Sequence, residues 1–142
     1  MRKALRWRYY CEFCKKAGNS AFAMKTHEAG CTMNPNRKCR MCDFVAGTQK
    51  PIRDLMALLP DPKAFEKKMT DCDFTFFDGL DGAVTKALPA LRDSTDNCPA
   101  CIMAALRQKG IPVPCANGFN FTQECKELWA EVNENHYEPP TI

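Results

Sequence analysis

Cys11-Glu-Phe-Cys14 is followed by twelve residues and then by His27-Glu-Ala-Gly-Cys31, so four metal-ligating side chains fall in the pattern C-x2-C-x12-H-x3-C. Two cysteines three apart sit on a tight knuckle and can point at one ion. Two ligands four apart lie one turn apart on a single helix face, so together the four can close a tetrahedron. Working outward, two further knuckles follow, Cys39-Arg-Met-Cys42 and Cys98-Pro-Ala-Cys101, whose four thiols suggest a second site. Eight ligands in two sets of four predict two zinc ions per chain.

Around the first set, Arg6-Trp7-Arg8-Tyr9-Tyr10 alternates and is rich in aromatics, which reads as a strand. Cys11 to Cys14 turns it, and Lys15-Lys16-Ala17-Gly18 is the return. Asn19 or Ser20 is placed to cap a helix with Phe22 and Met24 as its apolar positions, and Gly30 is placed to end it. On these residues, 9–31 resembles a C2H2-type (ββα) zinc finger in its C2HC variant, with Met24 where that family places its core leucine. The family's core phenylalanine, expected near Gly18, is absent, so Phe22 or Phe13 is expected to fill the space. The resemblance implies base-reading side chains at Ser20, Ala23 and Thr26, and none of these can pair bidentately with a base edge. Contact with nucleic acid is then expected through phosphates, from Arg2, Lys3, Arg6, Arg8, Lys15, Lys16 and Lys25.

Charge is divided along the chain. Residues 1–53 carry twelve Lys/Arg against Glu12, Glu28 and Asp43, a balance of +9, whereas residues 54–142 carry eight against fourteen, a balance of −6. A basic metal-bound half suggests a polyanionic partner. The alternative is local: a zinc ion held by four thiolates is formally negative, and nearby Lys/Arg balance it.

Residues 32–38 read as a turn-rich linker. Beyond it the pattern is helical. Pro51 starts one helix through residue 59, with Ile52, Leu55, Met56 and Leu59 on one face. Asp61-Pro62 starts another, to about residue 69. Asp81 is placed to cap a third, carrying Ala83, Val84, Ala87, Leu88 and Leu91 and kinked at Pro89. Phe74-Thr-Phe-Phe77 reads as a short strand or an aromatic plug. Pro99 and Gly110 bracket a helix that opens on the last knuckle, where the helix dipole favours thiolate. Asn120 and Gln123 cap a final helix with a stripe of Phe121, Cys125, Leu128, Trp129 and Val132, expected to pack on the Cys98 helix with Cys125 buried. Residues 137–142 read as a short extended end.

The expected fold is a small zinc-stabilised, α-rich (α+β) chain: a finger at 1–31, then a helical domain at 32–142 clamped by the four-cysteine site. Cys72 and Cys115 have no partner at knuckle spacing, and either could replace a ligand of the second set. A four-cysteine set also suits an iron–sulfur cluster. A redox role for Cys98-Pro-Ala-Cys101 would need a preceding strand in a βαβ unit, which is not visible.

No catalytic residues are assigned. His27 is committed to metal, and the other histidine, His136, has no thiol at a supporting spacing. Both ligand sets look full, without the open position a catalytic zinc keeps. No small-molecule substrate is implied. Residues 1–30 lack the apolar core of a signal peptide, and no run approaches the roughly eighteen apolar residues of a membrane span, so reduced thiols in a cytoplasm are expected. The expected role is a non-enzymatic zinc-binding accessory protein that contacts nucleic acid. The competing expectation is a structural or protein-interaction module, in the style of small phage-encoded zinc proteins.

Overall fold

Short-range pairing and capping set most of the element order. The structure, a computed structural model, describes residues 1–45 and 47–136. Its elements are β1 (Tyr9–Tyr10), β2 (Ala17–Gly18), α1 (Ala21–Gly30), α2 (Arg40–Phe44), α3 (Ile52–Ala57), β3 (Glu66–Lys68), β4 (Thr75–Phe77), α4 (Leu80–Thr95), α5 (Pro99–Lys109) and α6 (Phe121–His136). One-turn 3-10 segments lie at Pro62–Phe65 and Val113–Cys115. The two small sheets are antiparallel hairpins, β1 on β2 and β3 on β4.

The first strand is shorter than its aromatic alternation suggests. Tyr9 pairs with Gly18 and Tyr10 with Ala17, and there the ladder ends, because the knuckle return supplies only two partner residues. Residues 1–8 are exposed and take no regular structure. Ser20 caps α1, its Oγ accepting from the Ala23 N–H at 3.2 Å. Gly30 is the last helical residue rather than the stop, and Cys31 closes the end by donating its N–H to the Glu28 carbonyl. Neither Phe22 nor Phe13 fills the core beside Met24. Phe22 is 81% exposed and Phe13 is also at the surface. Met33, from beyond the helix, packs there instead, with Cys14.

The expected helix after Pro62 is replaced by a turn and a strand. Its cap is present, with the Asp61 carboxylate accepting from the Lys63 N–H at 3.0 Å. After one turn, however, the chain extends into Glu66–Lys68, which pairs with Thr75–Phe77 in the register Glu66 to Phe77, Lys67 to Phe76 and Lys68 to Thr75. A β-branched and aromatic partner strand favours the hairpin over continued helix. Phe74-Thr-Phe-Phe77 is therefore mostly strand. Phe77 packs toward the core, while Phe74 and Phe76 remain exposed.

Gly79, at φ +81°, takes the cap position of α4, so Asp81 lies in the first turn. The helix runs through Pro89, which cannot offer an N–H to the carbonyl of Thr85. Pro89 is exposed, so that carbonyl lies on the wet side, while Val84, Leu88 and Leu91 bury the opposite face. Gly110, at φ +82°, ends α5 in the left-handed conformation that suits glycine at this position.

The main core is built around α5. Ile102, Ala105 and Leu106 are fully buried among Leu55 and Leu59 of the α3 region, Leu80, Val84, Leu88 and Leu91 of α4, and Ile111 and Phe119. α6 packs on α5 as expected. Asn120 caps it, its Oδ1 accepting from the Gln123 N–H at 3.0 Å. Val132 is buried on its stripe, Cys125 is only half-buried, and Trp129 meets Phe44 edge-on at 4.8 Å between ring centroids. An Arg92–Glu124 ion pair ties α4 to α6, and Arg92 also donates to the Gly118 carbonyl at 2.8 Å. Residues 137–142 and the side chains of Asn135 and His136 lie outside the described residues.

Candidate metal centres

The first centre is assembled by a hairpin and the helix that follows it. Cys11 and Cys14 hang from the turn after β1, while His27 comes from the last turn of α1 and Cys31 from the residue that closes it. All four ligand atoms lie within 4.8 Å of one another, with Cys14 Sγ 3.2 Å from His27 Nε2. The knuckle is set by backbone: the N–H of Phe13 points at Cys11 Sγ and that of Lys16 at Cys14 Sγ, both at 3.4 Å. Glu28, one residue beyond His27, accepts from the Glu12 N–H at 3.0 Å and fixes the knuckle to the helix. Burial and the nearby Lys16 charge hold the His27 imidazole below its usual pKa, so at neutral pH it is a neutral ligand. Burial would raise the Cys14 thiol, but the Lys16 N–H and the neighbouring cysteines bring it down.

The second centre joins distant parts of the chain. Cys39 is the residue before α2 and Cys98 the residue before α5, so each knuckle opens a helix, and Cys42 and Cys101 lie in the first turns. All four are buried, and all four sulfurs lie within 4.8 Å. Cys39 and Cys98 are 3.5 Å apart and Cys42 and Cys101 3.6 Å. A tetrahedral zinc with Zn–S bonds of about 2.3 Å requires sulfur–sulfur edges of about 3.8 Å, whereas a disulfide needs about 2.05 Å. The spacing fits a shared ion and not a disulfide, and the cysteines are free.

Protonation points the same way. Hydrogen bonds from Cys101 and Cys98 pull the Cys39 thiol far below its usual pKa. Burial and the Cys98 charge push Cys42 up to about 12. Hydrogen bonding to Cys39 and Cys98 drives Cys101 far upward. Four buried thiols this close cannot all ionise unless a cation sits among them. The two groups are therefore consistent with two zinc ions. Zinc held by either set would supply a cross-link between the parts of the chain that carry its four ligands.

Arg37 completes this second centre, and sequence reasoning missed it. It is 7% exposed, its Nη1 lies 3.7 Å from Cys101 Sγ, and its Nε has no hydrogen-bond partner among the described residues. Burial would weaken its hold on its proton, but the Cys39 and Cys101 sulfurs reverse this and raise its pKa. A buried guanidinium against the Cys39 and Cys101 sulfurs would balance part of the charge of a four-thiolate zinc. Gln49 steadies both groups: its Oε1 accepts from the Cys39 N–H at 2.6 Å, and its Nε2 donates to the Arg37 carbonyl at 2.8 Å. A linker arginine has no periodic or spacing signal that would mark it as buried.

The linker itself is pinned rather than loose. Gln108 of α5 donates to the carbonyls of Thr32 at 2.8 Å and Asn34 at 3.0 Å, and Arg107 donates to Thr32 Oγ1 at 2.6 Å. Asn34, itself buried, donates to the Glu28 carbonyl at 2.8 Å. Arg40 reaches back to the Thr26 carbonyl at 3.2 Å. The two centres are thus tied to each other by polar contacts on both sides of residues 32–38.

Cys72 is exposed in the β3–β4 turn and Cys115 half-buried in its 3-10 turn, and among the described residues neither belongs to a four-ligand group. The seven expected phosphate-binding residues, Arg2, Lys3, Arg6, Arg8, Lys15, Lys16 and Lys25, are all exposed. Among the described residues none of them is in an ion pair. Ser20 is occupied as the α1 cap, Ala23 is exposed and Thr26 is half-buried. No helix among the described residues is long and apolar enough to cross a membrane. Compared with protein-family models, curated proteins and solved structures, the chain matches none.

Proposed function

We propose that this chain is a non-enzymatic zinc-binding accessory protein that holds nucleic acid by its phosphates through residues 1–31. In this reading residues 1–31 are a C2HC-type ββα finger, and 32–142 is a helical domain clamped by the second zinc. The observation that carries it is the unpaired basic surface: seven exposed cations on a module with only two carboxylates, Glu12 and Glu28. Glu28 is already engaged by a backbone N–H. Charge at the metal centres accounts for Arg37 and for Lys16, which acts on His27, whereas the other six cations are exposed on the surface. Two full ligand sets leave no coordination site for a substrate or a reactive water, which supports a non-catalytic role.

Binding is expected to fall steeply with salt, with a log–log slope of up to roughly −6 if all seven cations meet duplex phosphates. Sequence preference is expected to be slight, because Ser20, Ala23 and Thr26 give weak base readout. Changing Arg6, Arg8, Lys15 and Lys16 to glutamate should abolish retention of a labelled probe in a gel-shift assay while zinc content stays at two. No retention of DNA or RNA by the wild type at low salt would reject this reading in favour of a structural or protein-docking module.

A further inference from the structure

The three most exposed aromatic side chains of the basic module have no place in its core. Trp7 is 83% exposed, Tyr10 66% and Phe22 81%. The core beside the first centre consists of Met24, Met33 and ligand cysteines, so nothing inside is missing these rings. On α1, Phe22 lies across the helix from the buried Met24, with Lys25 beside it on the outward side. On β1, Tyr10 sits opposite Ala17 in the register, and Tyr9 opposite Gly18. A Cβ at Gly18 would meet the Met24 side chain, so the Tyr9 side of the hairpin faces α1 and Tyr10 faces away. Trp7 lies between Arg6 and Arg8 in the irregular segment 1–8. Each exposed ring therefore has a cation one to three residues away.

Cations hold phosphates wherever they are, but bare aromatic faces need a flat partner. In a duplex the base faces are covered by their neighbours, and only edges and backbone are offered. In a single strand the faces are free, and stacking on aromatic side chains between phosphate-binding cations is the usual mode of capture. A duplex reader would instead place amide or guanidinium groups at the helix start, where this chain has Ser20, Ala23 and Thr26. We propose that the ligand of residues 1–31 is single-stranded nucleic acid, with bases stacked on Trp7, Tyr10 and Phe22 and phosphates held by Arg6, Arg8 and Lys25. This rests on the nucleic-acid reading given above and specifies its ligand.

The test uses the full zinc-loaded protein and fluorescence anisotropy with labelled dT20, U20 and a 20-base-pair duplex at low salt. Single strands are expected to bind about tenfold or more tightly than the duplex, the dT20 and U20 arms showing whether DNA or RNA is preferred. Trp7→Ala and Phe22→Ala should each weaken single-strand binding by about tenfold, in keeping with loss of one stacked base. Phe22→Tyr should restore it, since the ring face is kept. All variants should retain two zinc ions, because the altered side chains are on the surface. Equal binding of duplex and single strand, or alanine variants that bind single strands as the wild type does, would overturn this inference and leave phosphate binding standing. Absence of any binding would reject both.

Discussion

Chelation of both metals should unfold residues 1–31 completely while α4, α5 and α6 keep much of their helix. The contrast follows from what each centre has around it. Next to the first set, Met24 is the one buried apolar side chain among the described residues that is not a ligand, with half-buried Met33 beside it. Burying one such side chain contributes about 1.5–3 kcal/mol, whereas ordering each residue's backbone costs about 1–2 kcal/mol. Metal binding, worth about 10–16 kcal/mol in comparable zinc-finger peptides, must therefore supply the folding energy. The second set lies within a continuous core that runs from Leu55 to Phe119. Hydrogen exchange before and after chelation should show residues 1–31 exchanging at unfolded rates, with residual protection concentrated in α5. Persistent protection of α1 without metal would contradict this.

Arg37→Ala should weaken zinc at the second centre by about 10- to 100-fold, the range typical for groups just outside a ligand shell. The first centre should be unaffected. The side chain places a buried positive charge against Cys39 and Cys101, and its removal leaves the thiolate cluster uncompensated. Arg37→Met, which keeps most of the packed stem, should show nearly the same loss and so separate charge from packing. Arg37→Lys should recover only part of it, as an ammonium cannot reproduce the planar guanidinium. Competition with a chromophoric chelator reads these affinities directly. Unchanged affinity in both Arg37→Ala and Arg37→Met would remove Arg37 from the centre.

Both ligand sets were legible from sequence because metal chemistry leaves a short-range signature. Cysteines three apart mark a knuckle wherever they occur, and His27 with Cys31 marks one face of a helix. Spacing suggested the pairing of Cys39/Cys42 with Cys98/Cys101 across residues 43–97 but left Cys72 or Cys115 open as replacements, and the structure brings the two knuckles together. Caps carried by a single local hydrogen bond, at Ser20 and Asn120, were legible too. What sequence hid was decided by distant partners. The cap at Asp61 is real, yet the helix yields to pairing with Thr75–Phe77, a contact no window around Pro62 contains. Phe22 looked like core on a helix pattern, but Met33 packs there from beyond the helix end. Arg37 stood in a stretch that read only as a turn-rich linker, and the contacts that hold this linker come from distant residues: Gln49 donates to the Arg37 carbonyl, and Arg107 and Gln108 donate to Thr32.

Zinc stoichiometry is the most direct test of the two-centre account. Native mass spectrometry of protein purified without added metal, paired with elemental analysis, should give two zinc ions per chain, and Cys98→Ser should reduce this to one while the Cys11/Cys14/His27/Cys31 centre stays filled. One zinc or fewer in the wild type, iron with visible absorbance, or a Cys98→Ser variant that still holds two would contradict it.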